Sequence, residues 1–263
     1  MKKPNIRFDL SLVVIPLSIV AAYFLYHYVL GHPDNFVDGD PAREPIDNNV
    51  LGVIYKGGSI VILLISFQLI MVVYVIERFL ALKLSQGKGD MAAFVKNIKS
   101  LLASGKTKAI NDACDQQRGA VANVVKTGIS TYLDRKKQEE VDQKDIYLIQ
   151  KELEETTQLE LPLLNRNMFI LSTIAQISTL IGLLGTVTGM IKAFGALATV
   201  GEPDPVGLAG GISQALVTTA LGISTAAVTI VFYNYFANRI DRITYAIDEA
   251  SFSIIHTLKL KYF

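Results

Sequence analysis

The sequence predicts an all-α, polytopic membrane protein with four transmembrane helices and long helices that extend into a cytoplasmic helical domain. Three observations carry that expectation. Apolar residues make up 51% of the chain and charged ones 19%, with a mean hydropathy of +0.37, a balance outside the usual soluble range. The apolar residues are gathered into four long runs, and a hydrocarbon core of about 30 Å needs about 20 residues of helix. The polar stretch 86–167 shows helical periodicity, punctuated by Gly87, Gly89, Gly105 and Gly119, with no strand alternation.

The N-terminal segment 1–9 carries Lys2, Lys3 and Arg7 and runs directly into 10–30, which lacks Asp, Glu, Lys and Arg. A cleaved signal peptide shares this basic start and apolar run. The length of the run, Pro16 within it, and Tyr23, Phe24, Tyr26 and Tyr28 at its far end favour a retained helix with an interfacial aromatic belt. The connection 31–57 sets Asp34, Asp38, Asp40, Glu44 and Asp47 against Arg43 and Lys56, and Pro33, Pro41 and Pro45 argue against a continuous helix there. The second span, 58–77, contains Gln68 and is expected to end at Glu77 and Arg78. By the positive-inside rule the N-terminus is cytoplasmic, 31–57 is a periplasmic loop, and 78–167 returns to the cytoplasm.

Within 78–167 the sequence predicts helices over 91–102, 106–117, 120–133 and from Val141 onward. The last carries an apolar stripe of Ile146, Ile149, Leu153, Leu159 and Leu163. Residues 141–198 hold no strong breaker except Pro162, which predicts one bent helix of roughly 87 Å at about 1.5 Å per residue. Spans three and four occupy 168–237 with a turn at 200–206. Arg166 anchors one end of the third span and Lys192 is expected to snorkel at the other. The remainder, 238–263, continues as a cytoplasmic amphipathic helix with Ile240, Ile243, Ile247 and Ile254 on one side, so both termini are cytoplasmic.

Composition excludes several chemistries. A net charge of +1 gives no hint of nucleic-acid binding, and the single Cys114, read as a packing residue, excludes an internal disulfide framework or a multi-cysteine metal site. His27, His32 and His256 are scattered, and no nucleophile, metal-ligand or phosphate-loop spacing appears, so neither enzyme activity nor a cofactor is expected.

The distinctive stretch runs from Thr179 to Thr229. Gly182, Gly185 and Gly189 recur on one face of the third span, and Gly211 and Gly222 stand with Thr218 and Thr219 on the fourth. Helices in a bilayer gain little from hydrophobic burial against each other, so small residues that admit close backbone approach serve as the packing device. The runs 168–191 and 206–237 contain no charged side chain, but hold Gln176, Thr186, Thr188, Gln214, Thr218, Thr219, Ser224, Thr225 and Thr229. Single hydroxyls in such helices commonly bond back to their own backbone. The carboxamide of Gln214 must find partners at this depth. Together the polar residues suggest a lining that hydrates, or that hydrogen-bonds a charged group brought by another protein.

Leu159-Glu-Leu-Pro162, Leu171-Ser-Thr-Ile-Ala175, the run Gly-Leu-Leu-Gly-Thr-Val-Thr-Gly-Met-Ile from Gly182 to Ile191, Asp204-Pro205, the run from Gly210 to Gly222, and Tyr233-Asn234 together resemble the MotA/TolQ/ExbB proton-channel family, with the ExbB branch nearest in pattern. The resemblance covers about 159–239. It implies an inner-membrane motor of Gram-negative bacteria, in which a homopentamer surrounds an ExbD-like single-span partner bearing a transmembrane aspartate. It further implies that proton motive force energises a TonB-like protein for transport across the outer membrane. By position Thr186 and Thr219 match lumen-lining threonines, with Gln214 and Thr218 beside them on the proton pathway. Gln214 stands where a glutamate is common, Ser224 to Ala227 where a proline is frequent, and four spans is the MotA number. A TolQ-like subunit of the Tol-Pal envelope system and a MotA-like stator of another motor are the alternatives. A solute transporter lacks support because no internal symmetry is evident, and a membrane scaffold stays open on physics alone.

Overall fold

The computed structural model describes residues 10–138, 142–198 and 204–262. The N-terminal segment 1–9, the expected helix start at Val141 and most of the turn at 200–206 lie outside the described residues. Among the described residues the chain is all-α, with an isolated bridge between Phe36 and Pro45 as its sole extended pairing. The helices are α1 (Leu10–Phe24), α2 (Val50–Tyr55), α3 (Ile60–Gln86), α4 (Met91–Ala103), α5 (Thr107–Gln117), α6 (Gly119–Gln138), α7 (Gln143–Asn165), α8 (Met168–Leu197) and α9 (Pro205–Tyr262). Four stretches are long and apolar enough to cross a membrane, in α1 and its continuation, α3, α8 and α9. The chain divides into two compact units, residues 1–76 with 169–233 and residues 77–168 with 234–263.

The first unit holds the apolar helices. Pro16 sits inside α1, whose last turns continue as a π-helix, Leu25–Leu30. The connection after it is built, not loose. Buried Asn35 donates to the carbonyls of Val29 at 2.8 Å and Leu30 at 2.9 Å, satisfying acceptors that a helix end leaves orphaned. Asn49 donates to Asn35 Oδ1 at 3.0 Å while its own Oδ1 accepts from Gly52 N, capping α2. Tyr55 at the end of α2 stacks on Tyr26 with ring centroids 4.6 Å apart. The five acidic side chains of this connection are all exposed.

The second unit is a bundle of α4, α5, α6, α7 and the polar parts of α3 and α9. Its core is drawn from one face of each helix: Ile98 and Leu102, Ile110 and Cys114, Val124 and Ile129, Ile146, Ile149 and Leu153, and Ile240, Ile243, Ile247 and Ile254. Asp90 caps α4, and Asp142 with Asp145 forms a capping box that starts α7. Burial pushes the Cys114 thiol up to about 11, which keeps it a poor thiolate at neutral pH.

The helix α3 continues past the apolar run through Glu77 and Arg78 and ends only before Gly87, whose φ of +78° suits a helix terminator. Two expectations change here. First, the long helix breaks at Arg166 and Asn167, not at Pro162, which is accommodated inside α7. Asn167 takes φ +62°, a left-handed conformation that asparagine tolerates better than most residues. Second, the stripe on α7 does not extend to Leu159 and Leu163, which are 73% and 51% exposed; Leu164, three turns beyond Leu153, is buried instead.

Arg78 explains how the break is held. Its side chain is fully buried, pairs with Glu77 at 2.5 Å, and donates to the Leu164 carbonyl at 3.3 Å, one of the acceptors freed at the end of α7. Removing the guanidinium leaves a carboxylate and a carbonyl without their donor, at a cost of about 3 kcal/mol. The variant Arg78→Met is therefore expected to melt several degrees below the parent in detergent; an unchanged melting temperature would remove Arg78 from the account of the break.

Candidate functional site

The site is built on the seam where α8 meets α9 within the first unit. A Cβ added to Gly185 would lie 2.2 Å from Thr218 Oγ1, so the threonine fills the notch that the glycine leaves. One turn on, a Cβ at Gly189 would meet the Gly211 carbonyl at 2.6 Å and Ala215 N at 2.8 Å, and one at Gly211 would meet Ala193 N at 2.6 Å. In the other direction a Cβ at Gly222 would meet the Ser178 carbonyl at 2.6 Å, and Gly182 lies against the Gly222 Cα. The glycines thus alternate along both helices; backbone enters the gap at Gly182, Gly189, Gly211 and Gly222, and the Thr218 side chain fills it at Gly185. Van der Waals contact at that range is what associates helices where lipid tails are as apolar as the side chains.

The hydroxyls divide into two kinds. Thr188 bonds back to the Gly185 carbonyl, Thr218 to those of Gln214 and Ala215, Thr225 to Leu221 and Thr229 to Thr225, each within its own helix. Each of those donates to its own backbone, and Thr225 also accepts from another helix. Thr186 and Thr219 differ: their hydroxyls hydrogen-bond each other across the seam, and both also face the Gly182 carbonyl at 3.4 Å. Each is half-buried, so each keeps a face open beyond this chain, whereas Thr218 is fully buried. Gln176 is exposed on α8, away from the seam.

Two polar pairs were not paired by sequence reasoning. Gln68 of α3 donates to Thr225 Oγ1 at 3.0 Å, joining the second apolar helix to the fourth. Lys192, itself exposed, donates to Gln214 Oε1 at 2.8 Å. Gln214 is 6% exposed, and its amide also lies against Gly58, whose φ is +75°. The sequence signals were present, a lone amide inside an apolar run and a lone cation at the end of one, but no spacing rule links residues 22 or 157 positions apart. Among the described residues no group of three or more His, Cys, Asp or Glu could hold a metal ion.

The glycine seam between these two helices lies inside the region that decides the relationship. The model of the MotA/TolQ/ExbB proton channel family matches residues 116–249, about half of the chain. The chain belongs to the MotA/TolQ/ExbB proton channel family. Similar members include the putative biopolymer transport protein ExbB-like 3 of Synechocystis sp., 43% identical over 86 residues, which are 32% of this chain and 41% of that protein. The biopolymer transport protein ExbB of Salmonella typhimurium is 40% identical over 70 residues, 27% of this chain and 29% of its own length. The Tol-Pal system protein TolQ of Pseudomonas aeruginosa is 37% identical over 76 residues, 29% and 33% of the two chains. Each match covers less than half of the relative.

Among family members of this kind the seam geometry makes a sharp prediction. The substitution Gly185→Ala places a methyl group inside Thr218 and is expected to destabilise the α8–α9 pair by about 1–3 kcal/mol through overpacking. Gly195→Ala, where an added Cβ meets nothing within 4 Å, should be neutral or stabilising by up to about 1 kcal/mol. Thermal unfolding of the two variants in detergent checks the contrast; equal melting temperatures would show that the seam is not tight.

Proposed function

We propose that this chain is an ExbB-like subunit of an inner-membrane motor. Five copies form a ring around an ExbD-like single-span protein, and proton motive force energises a TonB-like protein for transport across the outer membrane. The observation that carries this reading is the Thr186–Thr219 pair on a helix pair that is otherwise glycine-packed and free of charged side chains between 168 and 191 and between 206 and 237. Membership of the proton channel family supports it, as do relatives named for biopolymer transport. On this reading both termini are cytoplasmic, 31–57 is periplasmic, and the bundle of 78–167 with the end of α9 is cytoplasmic.

The residues of this chain have definite parts in such a motor. Gly182, Gly185, Gly189, Gly211 and Gly222 hold α8 and α9 together, and Thr218 fills the Gly185 notch. Thr186 and Thr219 present hydroxyls that donate or accept, so they stabilise a neighbouring carboxylate in its charged and its protonated form alike. That symmetry keeps the step between the two states shallow. The chain brings no carboxylate of its own to this depth, so the titrating group is the partner's aspartate, and Gln214 is a hydrogen-bonding neighbour where many relatives place a glutamate. An elementary charge crossing the membrane is worth about 2.3 kcal/mol per 100 mV, so a few protons per cycle supply a mechanical stroke.

The TolQ reading is the alternative with a specific observation behind it, the match to TolQ of Pseudomonas aeruginosa. The task would then be envelope constriction, and the partner would differ. The test combines composition with work. Native mass spectrometry of complexes purified through this chain is expected to show five copies around acid-bearing single-span proteins. Thr219→Val is expected to keep that mass while lowering proton-driven uptake about tenfold or more. Undiminished uptake in Thr219→Val, or a complex without an acid-bearing partner, contradicts the reading.

A further inference from the structure

The second unit begins where two apolar runs end. On α3 the uncharged run 60–76 gives way to Glu77, and on α9 the uncharged run 206–237 gives way to Asn238 and Arg239. A cavity of about 570 Å³ lies between these stretches, wholly within the second unit, with Phe79, Lys83 and Gln86 of α3 and Tyr235, Phe236 and Arg239 of α9 in its lining. The run on α3 is about 26 Å long at about 1.5 Å per residue, close to the thickness of a hydrocarbon core, so Phe79 to Lys83 fall at the height of the lipid head groups.

The polar part of this lining consists of donors. Arg239 donates through Nε and Nη2 to the Tyr235 hydroxyl, both at 3.2 Å, and through Nη1 to Gln86 Oε1. A guanidinium has five N–H groups, so two stay unused. The arginine takes the amide oxygen of Gln86, which turns the Nε2 donors the other way, and Tyr235 keeps its own O–H to give. Lys83 is exposed and, among the described residues, neither hydrogen-bonded nor ion-paired. The lining holds no Asp or Glu. Glu77 is paired with Arg78 at 2.5 Å, and Asp241 lies about 200° around α9 from Arg239. Beside the cations stands an aromatic wall, Phe79 against Tyr235 with centroids 5.4 Å apart and the guanidinium 5.7 Å from the Tyr235 ring centre. Leu80, 60% exposed, adds apolar surface at the rim.

We propose that this cavity binds the phosphate of an anionic phospholipid, one lipid per chain. The phosphodiester oxygens accept charge-assisted hydrogen bonds from Arg239 and Lys83, with the Gln86 amide and the Tyr235 hydroxyl as neutral donors beside them. Cations and aromatic rings at head-group height suit such a ligand, and Leu80 meets its glycerol end. A head group that carries its own ammonium finds no acid in the lining, so the site prefers an anionic lipid to a zwitterionic one. Tyr235 and Gln86 hold the guanidinium in place before the lipid arrives, which lowers the ordering cost of binding. The bound lipid ties α3 to α9 at the edge of the membrane. This inference needs only that the chain spans a bilayer and stands apart from the motor reading above.

The test titrates the full chain in detergent with phosphatidylglycerol, phosphatidylethanolamine or inorganic phosphate and counts adducts per chain by native mass spectrometry. The parent is expected to hold one phosphatidylglycerol and to bind phosphatidylethanolamine and inorganic phosphate each about fivefold or more weakly. Lys83→Met, which breaks no bond among the described residues, is expected to weaken phosphatidylglycerol about fivefold or more, and Arg239→Met at least as much. Lys99→Met removes an exposed lysine outside the cavity and should leave binding unchanged. Equal binding of the two lipids, or equal loss in Lys99→Met, would overturn the site by reducing it to general surface charge. Unweakened binding in Lys83→Met would also overturn it by placing the lipid elsewhere, and this variant decides the matter should Arg239→Met fail to fold. Inorganic phosphate bound as tightly as the lipid would overturn the lipid source and assign the cavity to a free anion.

Discussion

The close approach of α8 and α9 is the constraint on which the rest of the site depends. Hydrophobic burial cannot hold two helices together in lipid, and an interhelical hydrogen bond there averages only about 0.6 kcal/mol. The Thr186–Thr219 bond therefore does not hold the pair together. Close contact at the glycines does, with backbone against backbone from Gly222 and Ser178 to Gly211 and Ala193 and the Thr218 side chain seated at Gly185. The hydroxyl pair is a consequence of that fit. So is the bond from Lys192 to Gln214, which joins the two helices where their backbones nearly touch.

The same economy shapes the chemistry. A charged side chain on α8 or α9 at mid-membrane would be costly for an isolated chain and would fix the field inside an assembly. Neutral side chains avoid that cost, and the half-buried hydroxyls of Thr186 and Thr219 leave donors and acceptors on an open face. Cationic charge is kept to the ends of the apolar runs, at Lys192 and beyond Ala237. In the motor that we propose, the moving charge belongs to the partner, and the ring provides a surface over which a carboxylate exchanges protons at low cost. The ordered connection between α1 and α3, with Asn35 and Asn49 satisfying the helix ends, lies outside the region that matches the family.

Much of this was legible in the sequence, for identifiable reasons. The apolar runs and the glycine spacing are local signals, and they predicted the all-α polytopic class. The α4, α5 and α6 boundaries follow from Gly and cap residues near in sequence, and the structure shifts their ends by no more than five residues. The errors came where a local rule met a competing one. The apolar stripe of α7 looked continuous to Leu163, yet burial passes from Leu153 to Leu164. Pro162 looked like the bend, yet the break fell at Asn167, which adopts a backbone conformation that no spacing pattern reports. The Lys192–Gln214 and Gln68–Thr225 pairs join different helices, and only the packed structure brings them together.

The most direct test of the central claim is proton flux into liposomes at an imposed potential, with this chain reconstituted alone and with its acid-bearing partner. A neutral lining that needs a carboxylate from another chain predicts that the chain alone assembles but conducts no more than empty liposomes, and that flux appears only with the partner present. Equal flux from the chain alone would contradict it, because α8 and α9 would then carry protons without any titrating group at their centre.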